Sequence, residues 1–387
     1  MLVSWSHKAL GRKTAFGLAV LLLALAGCSA GPDPAPSPPS SMDELKAELE
    51  QFSTERLAAG ASAVLIQAGL GGEVWSNAEG VRDLETKVPA ESGDSFHMAS
   101  LTKSMVATSV LKLVEQGKIR LDDLVSDDLP EFDSVLHPPK PITVRMLLDH
   151  TSGMPGFEEL LIRSGPVKEV LATPLTAERR LELTGMAPWD SADVGVYEYS
   201  NSNYVVLGLL VERVSGRSLG DVLRTDIVEP LGLAGTLLAG TAKAPATMVH
   251  GYVMIDGERV DATEAGVQSR SASGGMISTV QDVNVFFSAL LAGKVVNPAL
   301  VKEMQSQNSS EYGLGLAKWW DSCTSGYYYG HLGGAPGYAS IAMTSADGSR
   351  QLAVFMAHAA EPLSVDTPPG DYGLEEFAQK ALDSTCD

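Results

Sequence analysis

Tyr338-Ala339-Ser340-Ile341-Ala342-Met343 and Gln351-Leu352-Ala353-Val354-Phe355-Met356 are two apolar runs separated by Asp347-Gly348, a dipeptide suited to a tight turn. The pair predicts an antiparallel hairpin near the C-terminus. Tyr327-Tyr328-Tyr329-Gly330-His331-Leu332, just before it, predicts a third strand. The other end of the chain carries the same signature, in Ala63-Val64-Leu65-Ile66-Gln67 and Glu73-Val74-Trp75-Ser76 around Gly71-Gly72. Between these ends the apolar spacing turns helical. Met105, Val106, Val110, Leu111, Leu113 and Val114 recur at intervals of one, three and four from Leu101 to Gln116, and Gly117 ends the run. Ile142–Leu148, Tyr204–Val211 and about Val280–Ala292 read as further helices, as does Leu374–Leu382 at the end. An amphipathic helix is expected from Met42-Asp43-Glu44. Strands at both ends and helices in the middle predict one antiparallel sheet, flanked by helices, with a mostly helical lobe inserted: an α/β (α+β) fold. The sheet lobe falls at about 42–120 and 268–387, and the helical lobe at about 121–267.

The first 27 residues are expected to lie outside that fold. Lys8, Arg12 and Lys13 precede an apolar run, Ala15 to Ala26, too short to span a bilayer unaided, which is the layout of an export signal. Leu25-Ala26-Gly27-Cys28 resembles a bacterial lipobox, with Cys28 as the lipidated first residue of the mature chain; the alternative is a buried apolar helix with an incidental cysteine. Residues 28–41 are rich in Pro and Ser, cannot bury apolar surface, and read as a tether. The folded domain would then occupy 42–387, facing outside the cytoplasm and held to the membrane by lipid.

The whole chain carries a formal charge of −20. Loss of residues 1–27 removes three cations and no carboxylates, leaving −23, which argues against binding nucleic acid through phosphate neutralisation. With Cys28 lipidated, Cys323 and Cys386 remain as an even pair in an oxidising compartment. A disulfide joining them is expected, contributing about 4 kcal/mol by loop entropy; two buried free thiols are the alternative.

Three fragments carry chemistry. In Ser100-Leu101-Thr102-Lys103 a helix would place hydroxyl and ammonium one turn apart on the same face. A serine nucleophile needs such a base nearby. The pattern is weak alone, because Ser109-Val110-Leu111-Lys112 matches it too. Ser109 lies inside the helix, where its hydroxyl would bond a preceding carbonyl. Ser100 lies at the helix start, where free N–H groups and the helix dipole favour a developing negative charge; it also fits an N-cap. Tyr199-Ser200-Asn201 precedes an apolar helix. Tyr199, beside an ammonium, is expected to have a lowered pKa and to act as general base toward Ser100, and later as acid toward the leaving group. Asn201 offers an amide for Lys103 and for substrate. The plainer alternative is an aromatic and an Asn capping the next helix. His331-Leu332-Gly333-Gly334 is expected on an edge strand, where Gly333 and Gly334 admit a substrate backbone and the Gly334 N–H joins that of Ser100 as an oxyanion hole. A glycine bulge with a surface histidine is the alternative.

Ser-x-x-Lys, Tyr-x-Asn and His-x-Gly, in this order and about 100 and about 130 residues apart, resemble the three motifs of the penicillin-recognising serine hydrolases. The match is to the branch of the D-alanyl-D-alanine carboxypeptidases and class C β-lactamases. Leu147-Leu148-Asp149-His150-Thr151-Ser152-Gly153-Met154 and Tyr312-Gly313-Leu314-Gly315-Leu316 also look like stretches of that branch, and the resemblance runs over about residues 45–386. The C-terminal cysteine pair looks like that of the secreted carboxypeptidases. The resemblance implies a β-lactamase/transpeptidase-like fold, Ser100 as acylated nucleophile, Lys103 and Tyr199 handling protons, Asn201 binding and orienting substrate, and His331 supporting Tyr199. It implies no cofactor and no metal. The histidines show no ligand spacing, and His150 reads as a hydrogen-bonded structural residue.

The sequence also departs from the family. A carboxypeptidase must hold its substrate's terminal carboxylate, commonly through hydroxyls in and just after the third motif and a nearby arginine. Leu332 and Gly334 occupy those hydroxyl positions here, and Lys318 is the cation left for the task, a flexible point charge rather than a fork. Trp319 and Trp320 either wall an apolar subsite or pack in the core. The expected activity is therefore D-alanyl-D-alanine carboxypeptidase-like cleavage of cell-wall peptides, with an esterase, a D-amino-acid amidase or a β-lactamase as alternatives on the same fold. A sensor lipoprotein that acylates without turnover is the reading outside enzymology.

Overall fold

The two C-terminal apolar runs form the predicted hairpin at the centre of a six-stranded antiparallel sheet. The computed structural model describes residues 42–238, 243–269, 271–306, 312–362 and 372–386. Cys28, the export signal and the tether lie outside the described residues. The sheet strands are β1 (Ala63–Leu70), β2 (Glu73–Gly80), β3 (Ala317–Asp321), β4 (Gly326–Ala335), β5 (Tyr338–Ser345) and β6 (Arg350–Ala357). Their spatial order is β2-β1-β6-β5-β4-β3, so the N-terminal hairpin docks directly on the last strand. That junction pairs Ala63 with Ala357 and Leu70 with Arg350. The turn joining β1 to β2 uses Gly71 and Gly72, both at positive φ, as a tight hairpin requires.

Strand alternation gives the sheet two buried faces. On one, Val64, Ile66, Ile341, Met343, Val354 and Met356 pack against helices α1 (Met42–Ala58) and, at the end of the chain, Leu374–Asp383. Phe52 and Phe377 stack between those helices at 3.7 Å. On the other face, Leu65, Ala342, Ala353 and Phe355 join the large core that includes α2 (Thr102–Glu115). The helical stretch of the chain follows α2. It contains α3 (Val144–Leu148), α4 (Glu158–Ile162), α5 (Ala177–Met186) and α6 (Asn201–Ser215), and α7 (Val280–Leu291) returns the chain to the sheet. Among the described residues, no helix is long and apolar enough to cross a membrane.

Two expectations are refined. The Ile142–Leu148 run forms only five helical residues, because Thr143 caps Met146 at its start and Asp149 ends it. The strand carrying His331 is not an edge strand throughout. β3 covers β4 only from Gly326 to Gly330. From His331 to Ala335, β4 has β5 on one side and no strand on the other among the described residues. That uncovered half faces the candidate site.

Candidate active site

Ser100 sits in a short 3-10 turn, Ala99–Leu101, that leads straight into α2. Ala99 before it is held at φ +49, a conformation that is costly for a residue with a Cβ and recurs at functional sites. The surroundings hold that turn in place. Met98 N–H donates to the Met276 carbonyl at 3.0 Å, and the Ser340 hydroxyl of β5 donates to the Met98 carbonyl at 3.1 Å. Gly333 closes against the same turn. A Cβ there would strike the Ser340 hydroxyl and approach the Met98 carbonyl to 2.6 Å, so only glycine lets β4 lie this near Ser100. Gly334, the next residue, is exposed toward the open side.

Lys103 is fully buried one turn after Ser100. Its Nζ lies 2.9 Å from Ser100 Oγ, 2.6 Å from Asn201 Oδ1 and 2.5 Å from the Ser273 carbonyl. It also stands 5.0 Å from the ring centre of Tyr199 and 5.6 Å from that of Tyr204. Burial pulls its pKa down to about 7, against an opposing pull from the Glu158 carboxylate. The three contacts have a chemical consequence. A neutral amine carries two hydrogens and one lone pair. Asn201 Oδ1 and the Ser273 carbonyl can only accept, so they take the two hydrogens, and the lone pair is left facing the Ser100 hydroxyl.

Tyr199 corrects the sequence expectation. Its hydroxyl shares a hydrogen bond with Ser100, but its pKa is pushed up rather than down. Desolvation of the hydroxyl is the main cause, although 37% of the residue's surface stays exposed; the Ser100 bond opposes it, while Tyr197 and Glu158 reinforce it. The ammonium that was expected to stabilise a phenolate lies over the ring face, and burial brings that ammonium close to neutrality. Tyr199 is therefore held toward its phenol form, while Lys103 is drawn toward its neutral form.

His331 does not hydrogen-bond Tyr199; their ring centres are 6.4 Å apart. Its Nε2 meets the Tyr312 hydroxyl at 2.9 Å and its Nδ1 donates to the Leu332 carbonyl. Burial, with Lys103 nearby, lowers its pKa to about 3, so the ring is neutral. His150 is buried at φ +58 and accepts the Ser200 N–H at 3.2 Å and the Asn203 amide at 3.0 Å. Its ring lies 4.3 Å from that of Tyr199. This histidine thus shapes the loop that delivers Tyr199 and Asn201. Ser109, the rival serine, is buried and donates to the Met105 carbonyl at 3.1 Å, away from the site.

Lys318 stands on β3 opposite Tyr329, two residues before His331. It is buried, with its ammonium 4.6 Å above the Tyr327 ring. Trp319 packs in the core on the sheet face that also buries α1, and Trp320 is half exposed against Tyr327. Leu332 packs toward that same core, opposite to His331 and Gly333.

Two contributors escaped the sequence reading. The Ser273 carbonyl comes from the small-residue turn Ser271–Gly275, whose composition was visible but whose target was not. Glu158, on α4, accepts the Asn201 amide N–H at 2.6 Å. Burial pushes its pKa up, opposed by that hydrogen bond and by Lys103 and Arg180. Nothing in the sequence marks Glu158 apart from its neighbour Glu159.

Comparison with known proteins agrees with this geometry. Residues 45–373 match the Beta-lactamase family. Penicillin-binding protein 4* of Bacillus subtilis is 24% identical over 76% of this chain and 68% of its own length. Esterase EstB of Burkholderia gladioli is 32% identical, with the match covering 49% of each protein. The putative penicillin-binding protein PbpX of B. subtilis is 29% identical, and this chain spans about half of its length, 53%. Among solved structures, a D-stereospecific amidohydrolase from Streptomyces sp. superposes with a TM-score of 0.74 at 28% identity, covering 87% of this chain and 98% of that one. A D-amino acid amidase from Ochrobactrum anthropi SV3, complexed with D-phenylalanine, gives 0.74 at 26% identity, covering 88% and 98%. The chain belongs to the beta-lactamase family of penicillin-recognising serine hydrolases.

Proposed function

We propose that this protein opens amides and esters through an acyl-enzyme at Ser100, and that amides of D-amino acids are its first substrate class. The observation that carries the reading is the Lys103 contact set. With its two hydrogens occupied by Asn201 and Ser273, the neutral amine removes the Ser100 proton as Oγ attacks the substrate carbonyl carbon. The carbonyl π electrons move to oxygen, beside Ser100 and the exposed Gly334, where backbone N–H groups would stabilise the oxyanion. Tyr199, held as a phenol, gives its proton to the departing amine and is reprotonated from Lys103. Water then attacks the ester at Ser100, which regenerates the hydroxyl and releases the acid.

The preference for an amide or ester over a free peptide terminus rests on Lys318. Its ammonium packs on the Tyr327 ring. Amidase structures are also among the neighbours that superpose over nearly their whole length. A D-alanyl-D-alanine carboxypeptidase is the second reading, favoured by the similarity to penicillin-binding protein 4*. Export and lipid attachment at Cys28 belong to the proposal and rest on the N-terminal sequence. Incubation of the purified protein with D- and L-phenylalanine amide, a D-Ala-D-Ala peptide, a nitrophenyl ester and a fluorescent penicillin tests it, beside Ser100→Ala. Turnover of the D-amide and ester, lost in Ser100→Ala, is expected. Cleavage of the peptide alone would favour the second reading, and inertness toward all of them would defeat both.

A further inference from the structure

Asn201 stands between two groups of opposite hydrogen-bonding character. Its Oδ1 lies 2.6 Å from Lys103 Nζ and its Nδ2 lies 2.6 Å from Glu158 Oε1. An ionised carboxylate only accepts, so turning the amide over would set oxygen against oxygen. A charged Lys103 would impose the same orientation unaided, because an ammonium only donates. The reactive state is different. A neutral amine can accept an amide N–H into its lone pair, and its freed hydrogen would then point at Ser100 Oγ. Ser100 would become an acceptor, and no base would face its proton. In the state that must react, the group holding the amide against that turn is Glu158.

We infer that Glu158 is a positioning residue: it locks the Asn201 amide and so reserves the Lys103 lone pair for Ser100. The inference rests on the acyl-enzyme reading above. The Glu158 carboxylate lies close over Gly156, two residues earlier, where a Cβ would come within 2.6 Å of Oε2. The Arg180 guanidinium of α5 opposes the rise that burial imposes on the carboxylate's pKa. Among the described residues, the titratable groups around Lys103 are Tyr199, Tyr204, His150, His331 and Glu158. Glu158 is the carboxylate among them, and both histidines are held neutral by burial.

Glu158→Gln keeps the shape and removes the lock, since its amide can donate to a turned Asn201. Pre-steady-state bursts with nitrophenyl acetate on the whole protein should show acylation about tenfold slower with KM nearly unchanged. The acid limb of kcat/KM should move to lower pH, because a negative charge that favours the ammonium has gone. In an Asn201→Ala background the same change should add less than about twofold, because the amide it acts on is absent. Formate should restore Glu158→Ala and formamide should not. Wild-type acylation with an unmoved acid limb in Glu158→Gln would overturn the inference, as would losses that multiply with Asn201→Ala. If Glu158→Gln fails to fold, equal rescue of Glu158→Ala by formate and formamide would overturn it, and rescue by formate alone would sustain it. A wild-type protein with no burst and no adduct at Ser100 would instead bring down the acyl-enzyme reading, and this inference with it.

Discussion

At Lys103 burial and hydrogen-bond count act together. Burial lowers the pKa to about 7, and two pure acceptors leave one lone pair for Ser100. The base works only when neutral, so kcat/KM for an uncharged ester should rise with pH through about 7 and level off above it. A flat profile between pH 5 and 9 would count against Lys103 as base. In the proposed mechanism Tyr199 enters later, as a phenol that protonates a poor leaving group. Tyr199→Phe should therefore slow amide turnover about a hundredfold or more, and nitrophenyl ester turnover far less, since nitrophenolate departs unprotonated. Comparing kcat for the two substrates tests the assignment; equal losses would place Tyr199 at the attack step instead. Most of these residues were legible in the sequence, because the three motifs are local strings. The direction of the Tyr199 shift was not, since it depends on which rings bury the phenol. Glu158 was invisible for the same reason: it meets Asn201 across 43 residues of chain.

The elements that hold the site are the strained turn at Ala99, the start of α2 and the uncovered half of β4. Gly333 is where they touch. Gly333→Ala should push the turn away from β4, with a cost of about 1–3 kcal/mol in folding and a larger proportional loss in acylation. Urea unfolding and burst kinetics on the same preparation separate the two effects; unchanged acylation would show that β4 need not lie so near. Strand and helix positions follow the apolar periods closely in β1, β5, β6 and α2, because each buries one defined face. The reach of β3 was not readable. Lys318, Trp319 and Trp320 alternate across a strand whose neighbours could not be known from spacing, and the structure turns Lys318 toward Tyr327.

At the scale of the whole molecule, the two chain ends are joined in one sheet, and the last helix is tied to it by Cys323–Cys386. Replacing both cysteines by serine should cost about 4 kcal/mol by loop entropy while leaving acylation intact, as urea unfolding and burst amplitude would report. The buried Arg350–Asp321 pair joins β6 to β3, with contacts of 3.0 and 2.7 Å and a third to the Tyr328 hydroxyl at 2.7 Å. Asp321→Ala would strand a buried guanidinium and should cost about 3–5 kcal/mol, read by the same unfolding curve. These ties hold the sheet against which the nucleophile turn is clamped. The most direct test of the central claim is peptide mass mapping after a brief reaction with nitrophenyl acetate, quenched in acid. An acetyl group on Ser100 in the wild type and in Ser109→Ala, and none in Ser100→Ala, is the predicted result. An acetyl group on another residue, or undiminished turnover by Ser100→Ala, would contradict it.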